Sequence, residues 1–407
     1  MATRRLTKSR ATRPAAGIFP RIRKLTPRGF LSFAPDFPGV ELGDLNVFIG
    51  ANGSGKSNLF EAARFLQEAQ RNVRGFLSSG EVKDWQWASA LDQEPAVVEA
   101  QLALTDVQLK YWLGFAQSGS GDVEFTSEGL ELVGNPVDQN LFWRLEPTVV
   151  DFFVRRNGQG RRVSKEPIEA AKTVLDELRH PTDDRHRKDL RTALSSLSFF
   201  GEWGFGRRSN RLKGTQASAT VHGGLLEDGS NAAARLNSLL QRRGFEERLI
   251  AHAASVLPNV DGVLADFNMG STQIVFMEST RDRRTPASRL SDGTLHWLML
   301  ALILLDDEST SPLFLEEPEL GLHPDAILSL ARLLKEASTR RQVLVTTHSS
   351  LLVSAFTESP ECVFVFDRDE GGTRVERLSK KRILSWTKAG KSLADIWAAG
   401  AIGGNRW

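Results

Sequence analysis

The distribution of apolar residues predicts a strand followed by a helix near the start of the chain. Leu45–Ile49 is dominated by large apolar residues, as is typical of a strand that is buried on both faces. Ser57–Arg71 has apolar residues at helical spacing, which places Leu59, Phe60, Ala63 and Leu66 on one face. Ala96–Leu104 predicts a further strand.

From about Ser288 the pattern alternates regularly between helices and strands. A long apolar helix comes first, and short apolar strands then alternate with amphipathic segments. Such alternation is typical of a parallel sheet whose strands are connected by crossover helices. The elements predicted after the first helix are the strand Leu313–Leu315, a helix near Ala326–Ala337, the strand Val343–Val345, a helix near Leu351 and the strand Val363–Phe366.

The segment between these two regions has mixed signals. Short strands are predicted around Phe142 and Phe152, and helical spacing occurs at Glu166–Leu178, Asp184–Leu197 and Asn231–Val256. We predict an α/β fold with a mostly parallel central sheet, N-terminal antiparallel strands and an inserted mixed α/β lobe. The predicted divisions are a basic, flexible arm at 1–27, the N-terminal part of the main domain at 28–108, the inserted lobe at 109–285 and the C-terminal part of the main domain at 286–407.

Composition indicates a globular protein, with 41% hydrophobic and 25% charged residues in a chain of 407. The longest apolar run, Trp297–Leu305, is much shorter than the roughly 20 residues that a membrane-spanning helix needs. The single cysteine, Cys362, excludes an intramolecular disulfide and is typical of a reducing compartment. We therefore expect a cytoplasmic protein that does not engage a membrane.

Basic residues are unevenly distributed along the chain. The net charge is only +2, yet the first 28 residues contain nine Lys or Arg and no Asp or Glu. This arm is either a tether for nucleic acid or a tail that keeps the protein in solution. A second basic group either contacts DNA or forms solvated faces paired with nearby acids, and it comprises Arg179, Arg185, Arg187, Lys188, Arg191, Arg207, Arg208, Arg211 and Lys213.

The segment Gly50–Asn58 carries the most specific chemistry in the chain. It reads GANGSGKSN and fits the phosphate-binding pattern G-x-x-x-x-G-K-[ST], between a predicted strand and a predicted helix. The glycines allow backbone N–H groups to surround phosphate oxygens, Lys56 would reach the β- and γ-phosphates, and the Ser57 hydroxyl is placed to bind Mg²⁺. The candidate nucleotide ligands are Gly50, Ala51, Asn52, Gly53, Ser54, Gly55, Lys56, Ser57 and Asn58.

Three later stretches place polar residues where apolar elements begin or end. "SDGT" begins the long apolar helix, where Ser291 is a suitable N-cap and Gly293 allows close backbone approach. "LFLEEPELGLHP" ends a strand in Glu316 and Glu317, whose mutual repulsion is relieved by a bound cation. "VLVTTHSS" ends a strand just before His348. Considered singly, these stretches also fit a capped core helix, a solvated turn and a structural histidine.

Together, "NGSGKSN", "LSDGT", "EEPELGLHP" and "TTHSS" resemble the motifs of RecF/SMC-like ABC-type ATPases, in particular the compact bacterial RecF-like branch without coiled-coil arms. The resemblance covers about residues 20–105 and 286–407. It implies a P-loop ABC-ATPase head that hydrolyses ATP with Mg²⁺. It also implies a homodimer in which ATP lies between the Walker A loop of one subunit and the signature Leu290–Thr294 of the other, so that Ser291 and Gly293 act in trans.

The resemblance also assigns roles at the catalytic centre. Lys56, Glu317 and His348 are the expected catalytic residues, with Glu317 as the base for the attacking water and His348 as the switch histidine. Ser57 and Glu316 are the expected Mg²⁺ ligands.

The sequence departs from the family pattern at two positions. The Walker B acid is usually Asp, whereas Glu316 reaches about 1.5 Å further. "G-F-L-S" stands where the family often has "N-F-R-S", so Leu31 occupies the position of an adenine-side arginine and puts that contact in doubt. For the glutamine of the Q-loop, Gln86 and Gln101 are only weak candidates.

The resemblance leaves several couplings of the ATPase cycle open. We expect coupling to DNA binding in repair or to phage defence; the alternative is a regulatory ATPase that controls a separate nuclease or toxin without binding DNA. A transporter ATPase subunit is disfavoured by the long separation of Ser57 from Leu290 and by the form of "EEPELGLHP". A nuclease with a Toprim domain is disfavoured because too little chain follows His348.

Overall fold

The computed structural model describes residues 20–78, 80–87, 94–133, 141–146, 148–156, 159–177, 184–201, 224–268, 271–278 and 283–403. Within these residues the strands form an eight-stranded sheet, a six-stranded sheet and a three-stranded sheet. In chain order the strands are β1 Arg21–Arg28, β2 Val40–Glu41, β3 Leu45–Gly50, β4 Ala96–Ala103, β5 Gln108–Gln117, β6 Val123–Leu132, β7 Leu141–Glu146, β8 Val149–Arg156, β9 Gln159–Pro167, β10 Ser198–Phe200, β11 Gly262–Asn268, β12 Ser271–Glu278, β13 Arg283–Pro286, β14 Leu313–Glu316, β15 Val343–Thr346, β16 Val363–Asp369 and β17 Gly372–Arg377.

The α-helices occur between the strands along the chain and after the last strand. In chain order they are α1 Lys56–Glu68, α2 Val73–Leu77, α3 Val174–Glu177, α4 Asp184–Ser195, α5 Ala232–Leu240, α6 Phe245–Ala253, α7 Asp292–Leu305, α8 Pro324–Ser338, α9 Ser350–Ser354, α10 Lys380–Lys388 and α11 Leu393–Ala398.

The six-stranded sheet is the central sheet that the alternating pattern predicts. Its order is β10-β14-β15-β3-β16-β17, and every neighbouring pair is parallel except β16 and β17. Leu313 and Leu315 pack in the core that contains α7 and α8, whereas Phe314 packs in the core that contains α1. Helices therefore cover both faces, which explains why the strands are apolar throughout. The predicted α/β fold class is confirmed.

The eight-stranded sheet is antiparallel, with the order β2-β1-β4-β5-β6-β7-β8-β9. The predicted boundary between residues 108 and 109 falls within β5, after its first residue, and β5 forms a short hairpin with β4 and pairs with it along its length. Residues 109–167 therefore continue the sheet of the N-terminal strands and do not begin a separate lobe. The reason is that buried positions alternate in β4 and recur in β5, so both strands cover the same core.

One short strand from the predicted lobe also joins the central sheet. β10 pairs in parallel with β14, and the rings of Phe199 and Phe314 stack with centroids 4.4 Å apart.

The arm predicted at 1–27 overlaps β1, whose residues Ile22 and Leu25 are buried and which pairs with β4. Only residues 1–19 of that arm lie outside the described residues.

Two predicted helices are shorter or divided in the structure. Among the described residues of Glu166–Leu178, the strand β9 continues to Pro167, and Val174–Glu177 is the helical part. Asn231–Val256 is divided into α5 and α6, because Gly244 has φ +84° and begins a second helix there. In the part of the chain that the structure describes, no helix is long and apolar enough to cross a membrane.

The central sheet brings the predicted motifs to one edge. The carboxyl ends of β3, β14 and β15 point in the same direction because the three strands are parallel neighbours. Gly50–Asn58 begins at the last residue of β3, Glu317 follows β14, and His348 comes shortly after β15. Ligands bind at this edge of open parallel sheets.

Candidate active site

The loop Gly50–Ser57 is built around glycines that no other residue replaces without strain. A Cβ on Gly50 would lie 2.4 Å from the carbonyl oxygen of Phe366, and a Cβ on Gly55 would lie 2.3 Å from Thr373 Oγ1. Gly53 has φ +76°, is exposed, and has open space around the position of a Cβ. The loop is therefore packed on its inner side and open on its outer side, as a phosphate cradle requires.

Lys56 begins α1 and lies over the loop. Its Nζ donates hydrogen bonds to the carbonyl oxygens of Gly50 at 2.9 Å and Ala51 at 3.0 Å. Burial lowers the pKa of Lys56 to about 8, against the opposing effect of the Glu317 and Glu316 carboxylates. The ammonium group is thus partly desolvated and lies within electrostatic reach of both acids.

Ser32 and Thr373, which the sequence did not predict as site residues, contact the loop on its packed inner side. Asn58 Nδ2 donates to Ser32 Oγ at 2.7 Å, and Thr373 Oγ1 lies 2.7 Å from Ser32 Oγ and 2.9 Å from the carbonyl oxygen of Ser54. The backbone N–H of Thr373 also donates to the carbonyl of Ser32. These contacts connect residues far apart in the chain, so no local sequence pattern predicts them. Ser32 is part of the "G-F-L-S" stretch, but the sequence assigned it no role.

The two adjacent glutamates diverge because of one unusual backbone conformation. Glu316 is the last residue of β14, whereas Glu317 has φ +43°, which is rare outside glycine. The N–H of Glu317 donates to the carbonyl oxygen of Thr346 at 3.0 Å and to its Oγ1 at 3.2 Å. These bonds fix the left-handed turn, and the two carboxylates have different neighbours, since Glu316 lies close to Gly201 and Glu317 lies beside His348.

His348 completes the cluster at the end of β15. Its Nε2 lies 3.4 Å from Glu317 Oε1. Burial and the charge of Lys56 lower the pKa of His348, and the carboxylate of Glu317 opposes this shift. The structure therefore brings together Lys56, Glu317 and His348, which the sequence predicted as one constellation.

The chemistry of this cluster fits Mg²⁺ bound together with phosphate. No group of three His, Cys, Asp or Glu that could hold a metal ion occurs among the described residues. Mg²⁺ commonly uses one or two protein oxygens and completes its shell with phosphate oxygens and water. Glu316, whose carboxylate acts electrostatically on Lys56, and the exposed Ser57 carry oxygen atoms of the kind that such a partial set uses.

The predicted signature forms a separate tip at the start of α7. Ser291 Oγ accepts a hydrogen bond from the N–H of Thr294 at 3.2 Å, which confirms the predicted N-cap. A Cβ on Gly293 would lie 2.7 Å from the carbonyl oxygen of Gly321. These residues line a hollow of about 550 Å³ that contains no residue of the glycine loop, and its other walls are Ser255, Val256, Pro258, His323, Asp325 and Ala326.

The weak Q-loop candidates have other contacts. Gln86 is buried, donates to the carbonyl oxygen of Glu94 and accepts from the N–H of Gln117. Gln101 lies in β4 opposite Lys24.

Three of the predicted DNA-binding arginines also have partners within the chain. Arg185 pairs with Asp106 and Asp189. Arg187 and Arg191 donate to backbone carbonyls at the start of α3. Arg179, Arg207, Arg208, Arg211 and Lys213 lie outside the described residues.

Comparison with known proteins identifies a family to which the chain belongs. The family described as "AAA domain, putative AbiEii toxin, Type IV TA system" matches residues 45–354, which is more than half of the chain. No curated protein is significantly similar to this chain in sequence.

Two solved structures are similar in fold. One is an SMC head bound to the C-terminal winged-helix domain of ScpA, with a TM-score of 0.51 at 15% identity, covering 89% of this chain and 99% of that one. The other is an Smc head with an extended coiled coil from Pyrococcus furiosus, bound to the C-terminal domain of ScpA, with a TM-score of 0.52 at 13% identity, covering 91% and 99%. The chain therefore belongs to this AbiEii-type AAA family, and its fold is similar to that of SMC head domains.

Proposed function

We propose that this chain binds ATP with Mg²⁺ and hydrolyses it, with Glu317 as the general base. The observation that carries the proposal is the convergence of Lys56, Glu316, Glu317 and His348 at the carboxyl edge of the central sheet. A glycine loop with an open outer side adjoins this cluster. A lone cation between two carboxylates also occurs in structural ion pairs, but those lack a phosphate cradle.

The reaction is an in-line attack of water on the γ-phosphorus. The bond from phosphorus to the bridging oxygen of the β-phosphate breaks, and Glu317 accepts the proton of the attacking water. Lys56 and the N–H groups at the start of α1 stabilise the negative charge on the phosphate oxygens. Mg²⁺, held by Ser57 and Glu316, would neutralise further charge on those oxygens when bound.

The signature residues act in this proposal on the ATP of a second copy. Ser291 is exposed, and the hollow that it lines excludes its own glycine loop. A site divided between two subunits links nucleotide binding to dimerisation, because ATP binds the closed dimer more tightly than the monomer. Hydrolysis would then release the dimer.

The decisive experiment measures the rate of ATP hydrolysis and the molecular mass of the protein in solution. We expect the wild-type chain to release phosphate from ATP and Mg²⁺. We expect Glu317→Gln to lose about 100-fold or more in rate and to form a dimer with ATP in light scattering. A wild-type chain without ATPase activity contradicts the function. A Glu317→Gln variant that stays monomeric and turns over at the wild-type rate contradicts the mechanism.

Coupling to DNA, in repair or in phage defence, is the first candidate for what the cycle controls. Its test is a DNA-binding titration over a series of salt concentrations, with and without ATP. Contacts with phosphates would make the affinity fall steeply with salt. A flat response, or no binding in either nucleotide state, contradicts this coupling.

Control of a separate effector protein is the second candidate. Two observations favour it over DNA binding through α4. Arg185, Arg187 and Arg191 on that helix have partners within the chain. The matching family carries a toxin of a toxin–antitoxin system in its description. Co-expression of the chain with the products of its adjacent genes, followed by size-exclusion chromatography, would test for such a partner.

A further inference from the structure

We propose that Glu319 is a positioning residue that fixes the loop Thr347–Ser349 and thereby holds His348 beside Glu317. This inference rests on the proposed ATPase function and assigns a task to the third acid of "EEPE", which that function does not use. Glu319 would not touch the nucleotide. It would act through His348.

The contacts of Glu319 are concentrated on one oxygen. Its Oε1 accepts hydrogen bonds from Thr347 Oγ1 at 2.6 Å, from the N–H of His348 at 2.9 Å and from the N–H of Ser349 at 3.2 Å. The three donors come from consecutive residues. One carboxylate oxygen therefore fixes the direction of the loop immediately after β15.

The environment of this carboxyl group is unusual for a residue with only a packing role. Glu319 is 8% exposed, and among the described residues its Oε2 has no hydrogen-bond partner. Burying an acid with one unpaired oxygen is unfavourable, whereas an apolar side chain at this position would carry no such cost. The strong acceptor at Oε1 is what distinguishes Glu319 from an apolar residue, and its effect is on the loop.

The same turn also determines where Glu317 lies. The N–H of Leu320 donates to the carbonyl oxygen of Glu317, and the N–H of Glu317 donates to Thr346. Glu317 and His348 are thus held by reciprocal bonds between two short segments. Loss of the Glu319 bonds would leave the bonds from Glu317 N–H to Thr346 but release the loop that carries His348. Displacement of a catalytic group by about 1 Å can cost about 100-fold in rate.

The turn is attached to α7 on its other side. His296 Nδ1 lies 2.8 Å from the carbonyl oxygen of Leu320, and Gly293 packs closely against the carbonyl oxygen of Gly321. The segment that holds His348 therefore rests on the helix that begins with Ser291. These contacts with α7 fix the turn that contains Leu320 and Gly321, and Glu319 connects this turn to the loop Thr347–Ser349.

The test is a double-mutant cycle between Glu319 and His348 in the full chain, measured as kcat and KM for ATP. We expect Glu319→Ala to lower kcat by about 10- to 100-fold. Affinity for a non-hydrolysable ATP analogue should change by less than about 3-fold. In a His348→Ala background the same substitution should have no further effect, because Glu319 acts through His348. An unchanged kcat, or losses that simply multiply, would overturn the proposal.

Two further variants distinguish a positioning role of Glu319 from an effect on the stability of the fold. Glu319→Gln retains an acceptor oxygen and should keep kcat within about 5-fold of the wild type. Glu128 is the matched control, since it is a fully buried carboxyl that accepts from Tyr111 Oη, Val174 N and Leu175 N away from the site. Glu128→Ala should lower the melting temperature and leave kcat unchanged below it. An equal loss of kcat in both alanine variants would assign Glu319 a purely structural role.

Thr347→Val decides the question if Glu319→Ala does not fold. It removes one of the three donors with little change in volume, and it should lower kcat in the wild-type background but not with His348→Ala. A loss in both backgrounds, or in neither, contradicts the proposal. A wild-type chain without ATPase activity would instead reject the proposed function, so the two failures are distinguishable.

Discussion

His348 Nε2 lies 3.4 Å from Glu317 Oε1, with Lys56 close enough to influence the charge of both. Burial and Lys56 disfavour the imidazolium, so the pKa of His348 is lowered from 6.5 although Glu317 opposes the shift. A neutral imidazole does not cancel the charge of the carboxylate. The side chain beside the proposed general base is therefore a neutral imidazole near neutral pH.

The first prediction concerns this titration. The ring of His348, followed by NMR, should titrate below pH 6.5, because its charged form is disfavoured by burial and by a nearby cation. Lys56→Met removes the cation and should raise the pKa. Glu317→Gln removes the favourable carboxylate and should lower it further. If neither substitution moves the titration, the three side chains do not form one electrostatic unit.

The second prediction separates the two adjacent acids. Glu316→Gln should increase the Mg²⁺ concentration for half-maximal ATPase activity by about 10-fold, because a neutral amide is a weaker ligand for a hard cation. Activity should return substantially at high Mg²⁺. The control is Glu317→Gln, whose activity extra Mg²⁺ should not restore. The assignment is wrong if added Mg²⁺ rescues both variants or neither.

The third prediction follows from the lowered pKa of Lys56. With a pKa of about 8, Lys56 is largely neutral at pH 8.5 in the free protein, and bound phosphates favour its charged form. ATP binding should therefore take up a proton at pH 8.5 and almost none at pH 6.5. Calorimetry in buffers of different ionisation enthalpy measures this uptake. Affinity should also fall as the pH rises through 8.

Lys56→Arg provides the control for this experiment, because guanidinium stays charged over the whole range. It should bind without proton uptake at pH 8.5. Equal proton uptake by both proteins would assign the titration to another group.

Residues close in sequence account for most of what could be predicted from the sequence. Local patterns predict the strand before Gly50–Asn58, the N-cap at Ser291 and the parallel direction of β14 and β15. Local patterns do not predict that the antiparallel sheet continues past residue 108, because β4 and β5 would show the same alternation of buried positions if they belonged to different sheets. The left-handed turn at Glu317 has no local signal, since it is fixed by Thr346 on another strand.

The fourth prediction uses two glycines of the loop that differ in packing. A Cβ on Gly55 would meet Thr373 Oγ1 at 2.3 Å and Ser32 Oγ at 2.7 Å, whereas a Cβ on Gly53 meets nothing within 4 Å. Gly55→Ala should therefore lower both the melting temperature and ATP affinity. Gly53→Ala should cost only the strain of its positive φ, about 1 kcal/mol. Comparable melting temperatures for the two variants would show that the contacts behind Gly55 are not rigid.

The last prediction concerns the segment Glu227–Leu240, which reads "EDGSNAAARLNSLL" and contains α5. Arg235 within it is buried with Asp306 at the end of α7, with Nη2 2.5 Å from Oδ1 and side chains 3% and 2% exposed. Replacing one partner leaves a buried charge unpaired, so Arg235→Met should destabilise the fold by about 3–5 kcal/mol. The melting temperature measures the loss, and kcat below that temperature should be nearly unchanged. Arg242→Ala is the control, since that side chain is 45% exposed and its pair with Glu308 is worth less than about 1 kcal/mol. Equal destabilisation by the two substitutions would show that burial does not set the strength of this network, and a selective loss of kcat in Arg235→Met would connect the motif to the ATPase site.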